Sequence, residues 1–179
     1  MTVTERSLQL SSYLAQPIDG SSLLVFRRLF GAIICFTALR FMAHGWIDKL
    51  LIEPEFLFSW LPGISVMPRA WMYGLFSFKA IAGLAIALNT RPGLWIALWL
   101  PGFIYVELLD KTLYLNHYVL FTTLGILLLF LPENHASHSP SAPRWLLWTF
   151  RILIGSVYVW AGVNKLNVDW LFAAEPMTT

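Results

Sequence analysis

The stretch LWIALWLPGFIYVELL, residues 94–109, carries a single charged side chain, Glu107, and that near its end. As a helix rising about 1.5 Å per residue it covers ~24 Å, close to the ~30 Å hydrocarbon core of a bilayer. Four further runs share its character: Leu23–Trp46, Trp71–Leu88, Leu113–Leu131 and Trp145–Ala161. Alternating segments of ~10 residues, the mark of a membrane β-barrel, are absent. The chain therefore reads as all-α, a polytopic transmembrane bundle of about five membrane-spanning helices. Composition agrees. Hydrophobic residues make up 58% and charged ones 12%, against roughly 45–50% and 25% in soluble domains. Mean hydropathy is +0.65. Nine tryptophans and thirteen phenylalanines suit a chain that meets two membrane interfaces.

Between the runs the sequence is punctuated. Residues 1–22 form a polar N-terminal segment, and 23–179 form the transmembrane domain. Asp19, Ser21 and Ser22 suit the N-cap of the first helix, and Asn89-Thr90-Arg91-Pro92-Gly93 is a turn of breakers. Pro132 to Pro143, rich in Pro, Ser and His, reads as a solvated loop. Residues 47–69 hold aromatics, acids, prolines and Gly63, which forbid one long helix. This segment is expected to lie flat at the membrane surface or to re-enter as a cap. The first apolar run is too long for a signal peptide, so it reads as a retained helix. The net charge of +2 and the lack of a basic stripe argue against nucleic acid. Single Cys35 allows no internal disulfide. With the N-terminus cytoplasmic, Arg6, Arg27, Arg28, Arg91 and Arg144 fall inside, and Lys49, Arg69, Lys111 and Lys165 outside.

An ionisable residue within a span costs about 2.5–3.5 kcal/mol at the helix centre and marks function by default. Arg40, Lys79 and Arg151 lie within runs, whereas Glu107, Asp110, Lys111, His117 and Lys165 gather near ends on one side. Glu107, Asp110, Tyr114 and His117 share a face if helical; if the chain turns at Asp110-Lys111-Thr112, Asp110 caps the next helix. Run boundaries favour the turn. On pattern alone His117 is more often a hydrogen-bonded packing residue, and no second His or Cys at ligand spacing suggests a metal. Lys165 is most simply a snorkelling lysine paired with Asp169 at i+4. As a neutral base it would need its pKa lowered from ~10.4. Burial by Trp160, Val163 and Leu166 would do this at ~3–4 kcal/mol. Spacing leaves both readings open. Arg27 and Arg28 read as headgroup anchors, Arg40 as the partner of a buried acid or carbonyl, and Gly31, Gly74 and Gly83 as small residues at helix crossings.

Two stretches carry a resemblance. Asp110-Lys111-Thr112-Leu113-Tyr114-Leu115-Asn116-His117 and Ala161-Gly162-Val163-Asn164-Lys165-Leu166-Asn167-Val168-Asp169-Trp170 resemble two motifs of the vitamin K-dependent gamma-glutamyl carboxylases. Val25-Phe26-Arg27-Arg28-Leu29-Phe30-Gly31 and Trp71-Met72-Tyr73 are similar as well. The wider bacterial group is the HTTM (horizontally transferred transmembrane) domain family. The resemblance implies a reduced vitamin K or related quinol as cosubstrate, with O₂ and CO₂. It implies that Lys165 deprotonates the quinol, which on reaction with O₂ becomes a base strong enough for the glutamate gamma carbon. Epoxide formation then accompanies carboxylation. His117 matches a residue that stabilises developing charge. Asp110, Asn116 and Tyr114 match the same region, and Trp160 belongs to the environment of Lys165. Tyr114 stands where the animal enzymes have Trp, Asn164 where they have Lys, and Asn167 where they have an acid. The family continues into further helices and an outer domain, so a missing C-terminal portion or partner subunit is implied.

The expected function is thus carboxylase-like: quinol oxidation to its epoxide coupled to carboxylation of a Glu-containing peptide or protein, in a multi-pass bacterial plasma-membrane protein. Two other classes remain open. One is a non-catalytic HTTM protein that binds or matures a peptide, indifferent to Lys165 and His117. The other is a transporter fragment, suggested by Arg40, Lys79 and Arg151.

Overall fold

The computed structural model describes residues 3–113, 116–133 and 140–166. Its helices are α1 (Val3–Ala15), α2 (Ser21–Ala43), α3 (Arg69–Ala87), α4 (Pro92–Leu109), α5 (Asn116–Leu129) and α6 (Arg144–Asn164). Two short strands, β1 (Pro17–Asp19) and β2 (Ser141–Pro143), pair in a two-stranded sheet. Among the described residues, four helices (α2, α3, α4 and α6) are long and apolar enough to cross a membrane. The run expected over Leu113–Leu131 is shorter than its sequence suggests. Lys111–Leu113 is a 3₁₀ turn, and α5 has 14 residues, about 21 Å of helix. The architecture is an all-α membrane bundle in which the polar N-terminal segment contributes its own helix, α1.

The described residues fall into two compact units, one holding residues 17–142 and the other the residues at the two ends. In the end unit, α1 and α6 pack together, and the Arg144 guanidinium lies 4.0 Å from the Tyr13 ring centre. The larger unit is built around α2 and α3. Leu23, Arg27, Phe30, Ile34 and Ala38 point inward from α2 at three- and four-residue intervals, the stripe a helix presents to one neighbour. Gly31 and Gly83 face each other at this crossing. A Cβ on Gly31 would lie 2.7 Å from the Gly83 carbonyl oxygen, and one on Gly83 would collide with the Cys35 backbone. Small residues permit this backbone approach. Gly74 differs from the expectation: a Cβ there meets nothing.

The boundaries follow local chemistry. Gly20 is the N-cap of α2, and Asp19 instead accepts hydrogen bonds from the Ser21 amide (3.0 Å) and hydroxyl (2.6 Å). These bonds hold the Asp19 carboxyl below its usual range. Gly45, at φ +64°, turns the chain away at the end of α2, so the helix stops short of Trp46. The α3–α4 turn has Asn89 and Arg91 at positive φ, and Pro92 opens α4, where its missing N–H costs nothing.

Residues 47–69 begin with a π-helical turn, Asp48–Ile52, and continue as an irregular strap. The Trp60 amide donates to the Leu108 carbonyl (3.0 Å) and the Lys111 amide to Phe58 (2.8 Å). The Tyr105 hydroxyl donates to the Ser65 carbonyl and accepts from the Met67 amide, both at 2.9 Å. The strap is thereby tied to the C-terminal end of α4. Phe56 and Phe58 stand exposed on it, as an interfacial aromatic segment requires. Asp48 accepts from the Tyr73 hydroxyl (2.6 Å) and the Arg69 guanidinium (2.9 Å). The Tyr73 bond, with Arg69 adding to it, keeps the Asp48 carboxyl below its usual range against partial desolvation.

Two arginines depart from their sequence reading. Arg27 is 1% exposed; it donates to the Asn89 side-chain oxygen at 2.8 Å and the Leu131 carbonyl at 3.4 Å, so it clamps the bundle from within instead of anchoring to headgroups. Arg40 stacks on Trp46, 4.8 Å from the ring centre. Its delocalised charge uses an aromatic face where a buried acid or carbonyl was expected.

Candidate functional site

Helical phase sends one ionisable side chain inward from α3 and one from α4. Lys79 follows Phe76 by one turn, and Glu107 follows Phe103 by four residues, so each charge shares a face with an aromatic ring. These faces, with α2, the Asp110 turn and the start of α5, enclose a cavity of about 780 Å³. That volume lies within the ~300–1,000 Å³ of small-molecule sites. Its wall includes Phe41, Trp46, Phe76, Trp99, Phe103 and Phe121. Trp99 and Phe103 stack at 4.6 Å, and Phe30 packs against both Trp99 and Phe121 behind them.

The polar lining is Arg40, Lys79, Glu107, Asp110, His117 and Tyr118, with the hydroxyls of Thr37 and Thr112. Asp110 leaves the helix in an extended conformation, and its side-chain oxygen accepts from the Thr112 amide at 2.9 Å. The chain therefore turns here, and the acid caps the 3₁₀ turn, not α5. The turn also brings His117 to the same cavity as Glu107 and Asp110, which a continuous helix would have achieved by a shared face. The His117 and Tyr118 rings meet edge to face at 4.7 Å. Lys79 is 7% exposed, its ammonium 4.6 Å from the Phe76 ring centre and 5.1 Å from that of Phe103. Glu107 Oε2 accepts from the Thr122 hydroxyl at 3.4 Å, and its buried Oε1 has no partner among the described residues.

Of the residues singled out by sequence, His117 and Asp110 meet in this cavity. Asn116 opens α5; Tyr114 lies outside the described residues. Lys165 terminates α6 in the other unit, its amide donating to the Gly162 carbonyl at 3.0 Å. Trp160, Val163 and Leu166, expected to bury it, are exposed at 66%, 47% and 71%. Its proposed partner Asp169 falls outside the described residues. Lys79 was visible as a charge within a span and Glu107 as one near a span's end, but their convergence was not. They lie 28 residues apart (107 − 79) on separate helices, and no spacing rule joins them. Tyr118 and the aromatic wall carried no signal beyond an apolar pattern.

The sequence profile of the HTTM domain matches residues 15–179. No solved structure matches the chain. The chain belongs to the HTTM domain family.

Proposed function

From this HTTM membership, we propose that the chain is a carboxylase-like, multi-pass protein of a bacterial plasma membrane, with a cytoplasmic N-terminus, that oxygenates a quinol. The observation that carries the reading is the aromatic cavity that joins Asp110 and His117, two residues of one motif. Its fit to such a ligand rests on shape and chemistry: aromatic walls for a planar ring, and polar groups for ring oxygens. The quinol supplies reducing power: with O₂ it yields epoxide and water, one oxygen atom in each. The water carries one quinol hydrogen and the gamma proton that the oxygenated quinol removes from a glutamate; the other quinol proton leaves through Lys165 to solvent, and CO₂ adds to the gamma carbon.

The chain's own residues divide the remaining work. Lys165, matched by its motif, takes the first proton from a quinol hydroxyl. His117, lining the cavity, donates a hydrogen bond toward the negative charge that develops on the ring oxygen. Asp110 fixes the turn from which His117 approaches, through its bond to the Thr112 amide. A Glu-containing peptide or protein and a partner subunit complete the carboxylation half.

The test is O₂-dependent epoxide formation from reduced vitamin K by detergent-purified protein, beside Lys165→Ala. Epoxide that requires Lys165 supports the reading. Equal epoxide from both proteins removes Lys165 as the base, and none from either removes oxygenation by this chain.

A further inference from the structure

Lys79 and Glu107, both charged groups of the cavity, have no task in that scheme. Lys79 sits on ring faces, with no hydrogen-bond or ion-pair partner among the described residues. Glu107 keeps one buried oxygen unpartnered. The two interact electrostatically yet form no ion pair within 4.0 Å. An unmet carboxylate oxygen in an apolar enclosure is expensive. Opposite charges held apart across a cavity leave room for something that satisfies both.

The lining specifies its chemistry. Arg40 and Lys79 are balanced by Glu107 and Asp110, so a fully anionic or cationic ligand would unbalance the site. Glu107 Oε1 requires a donor, the Lys79 ammonium requires an acceptor, and the surrounding rings require a flat apolar body. We propose that Lys79 and Glu107 are the binding pair for a neutral aromatic diol head, Glu107 accepting from a ring hydroxyl and Lys79 donating to a ring oxygen. This deepens the oxygenation reading and rests on it for the ligand class. It adds that the site prefers the reduced diol over the oxidised dione, because a dione has no proton to give Glu107.

The probe is a 1,4-naphthoquinone bearing one isoprenyl unit, titrated in oxidised and reduced forms into the detergent-purified full chain. Quenching of tryptophan fluorescence reports occupancy, since Trp46 and Trp99 line the cavity. Wild type is expected to bind the diol more tightly. Glu107→Gln should weaken diol binding about tenfold or more while leaving the dione within about threefold. Lys79→Met should weaken both forms, and Phe56→Ala, on the exposed strap, neither. If Lys79→Met does not fold, the diol-to-dione ratio in Glu107→Gln decides alone. An unchanged ratio in that variant overturns the proposal, as does a wild type that binds neither form. Epoxide assays on the same proteins separate the two readings. Diol binding through this pair without epoxide keeps the site and removes the oxygenation. Lys165-dependent epoxide with an unaltered KM in Glu107→Gln does the reverse.

Discussion

A guanidinium buried in an apolar bundle must find acceptors, and Arg27 finds Asn89 at the α3–α4 turn and the Leu131 carbonyl just beyond α5. Asn89 serves twice, because its positive φ is also the conformation the turn needs. Asn89→Gly keeps the turn and loses the bond, so it should cost about 1.5–3 kcal/mol. Asn89→Ala should cost a further ~1–2 kcal/mol for the left-handed backbone. Thermal unfolding in detergent measures both. Asp48 gives a pH signature. Its carboxyl is held below the ordinary value of 3.8, so its stabilising contribution is present above that value and is lost as pH falls through the lowered one. Protease cutting within residues 53–67 should therefore increase below about pH 4, and Asp48→Asn should cut readily at every pH. The sequence could mark Arg27 as costly but not say which way it points. Its neighbours in α2 are apolar almost all round, so periodicity sets no inward face.

At the scale of elements, the α2–α3 crossing depends on Gly31 and Gly83. Gly83→Val drives a branched side chain into the Cys35 backbone and should destabilise the bundle by ~1–3 kcal/mol or more. Gly74→Ala, with open space around it, should be neutral or stabilise by ~0.5–1 kcal/mol through helix propensity. Comparing the two variants by detergent-resistant unfolding separates packing from propensity. The helices themselves were legible because twenty apolar residues in water have no alternative to lipid. Their ends were less so. The α5 boundary depends on an Asp110 side-chain bond to the Thr112 amide, and a tertiary strap pairs with both sides of that turn through Leu108 and Lys111. Neither leaves a mark in hydropathy. Helix α1, at residues 3–15, lies in sequence that reads only as polar.

For the whole molecule, HTTM membership covers most of the chain, and the motif containing Asp110 and His117 was readable because those residues sit within eight positions (110–117). The opposed Lys79 and Glu107 were unreadable as a pair because folding alone brings α3 and α4 to one cavity. The proposed orientation has its own test. In a Cys35→Ser background, a cysteine at Ser11 should react with a membrane-impermeant maleimide only after cells are opened. Labelling in intact cells would reverse the topology. One feature of the cavity bears on how any ligand arrives. Ile33 lines it and is also exposed on the apolar flank of α2, the kind of helix surface that meets acyl chains in a bilayer, and an opening at this residue would be an entrance from the lipid. A ligand that partitions into lipid would meet this entrance by lateral diffusion, and its governing concentration would be its mole fraction among lipids. Diluting the protein with more detergent or lipid at fixed ligand should then lower occupancy, whereas adding buffer alone should leave it nearly unchanged.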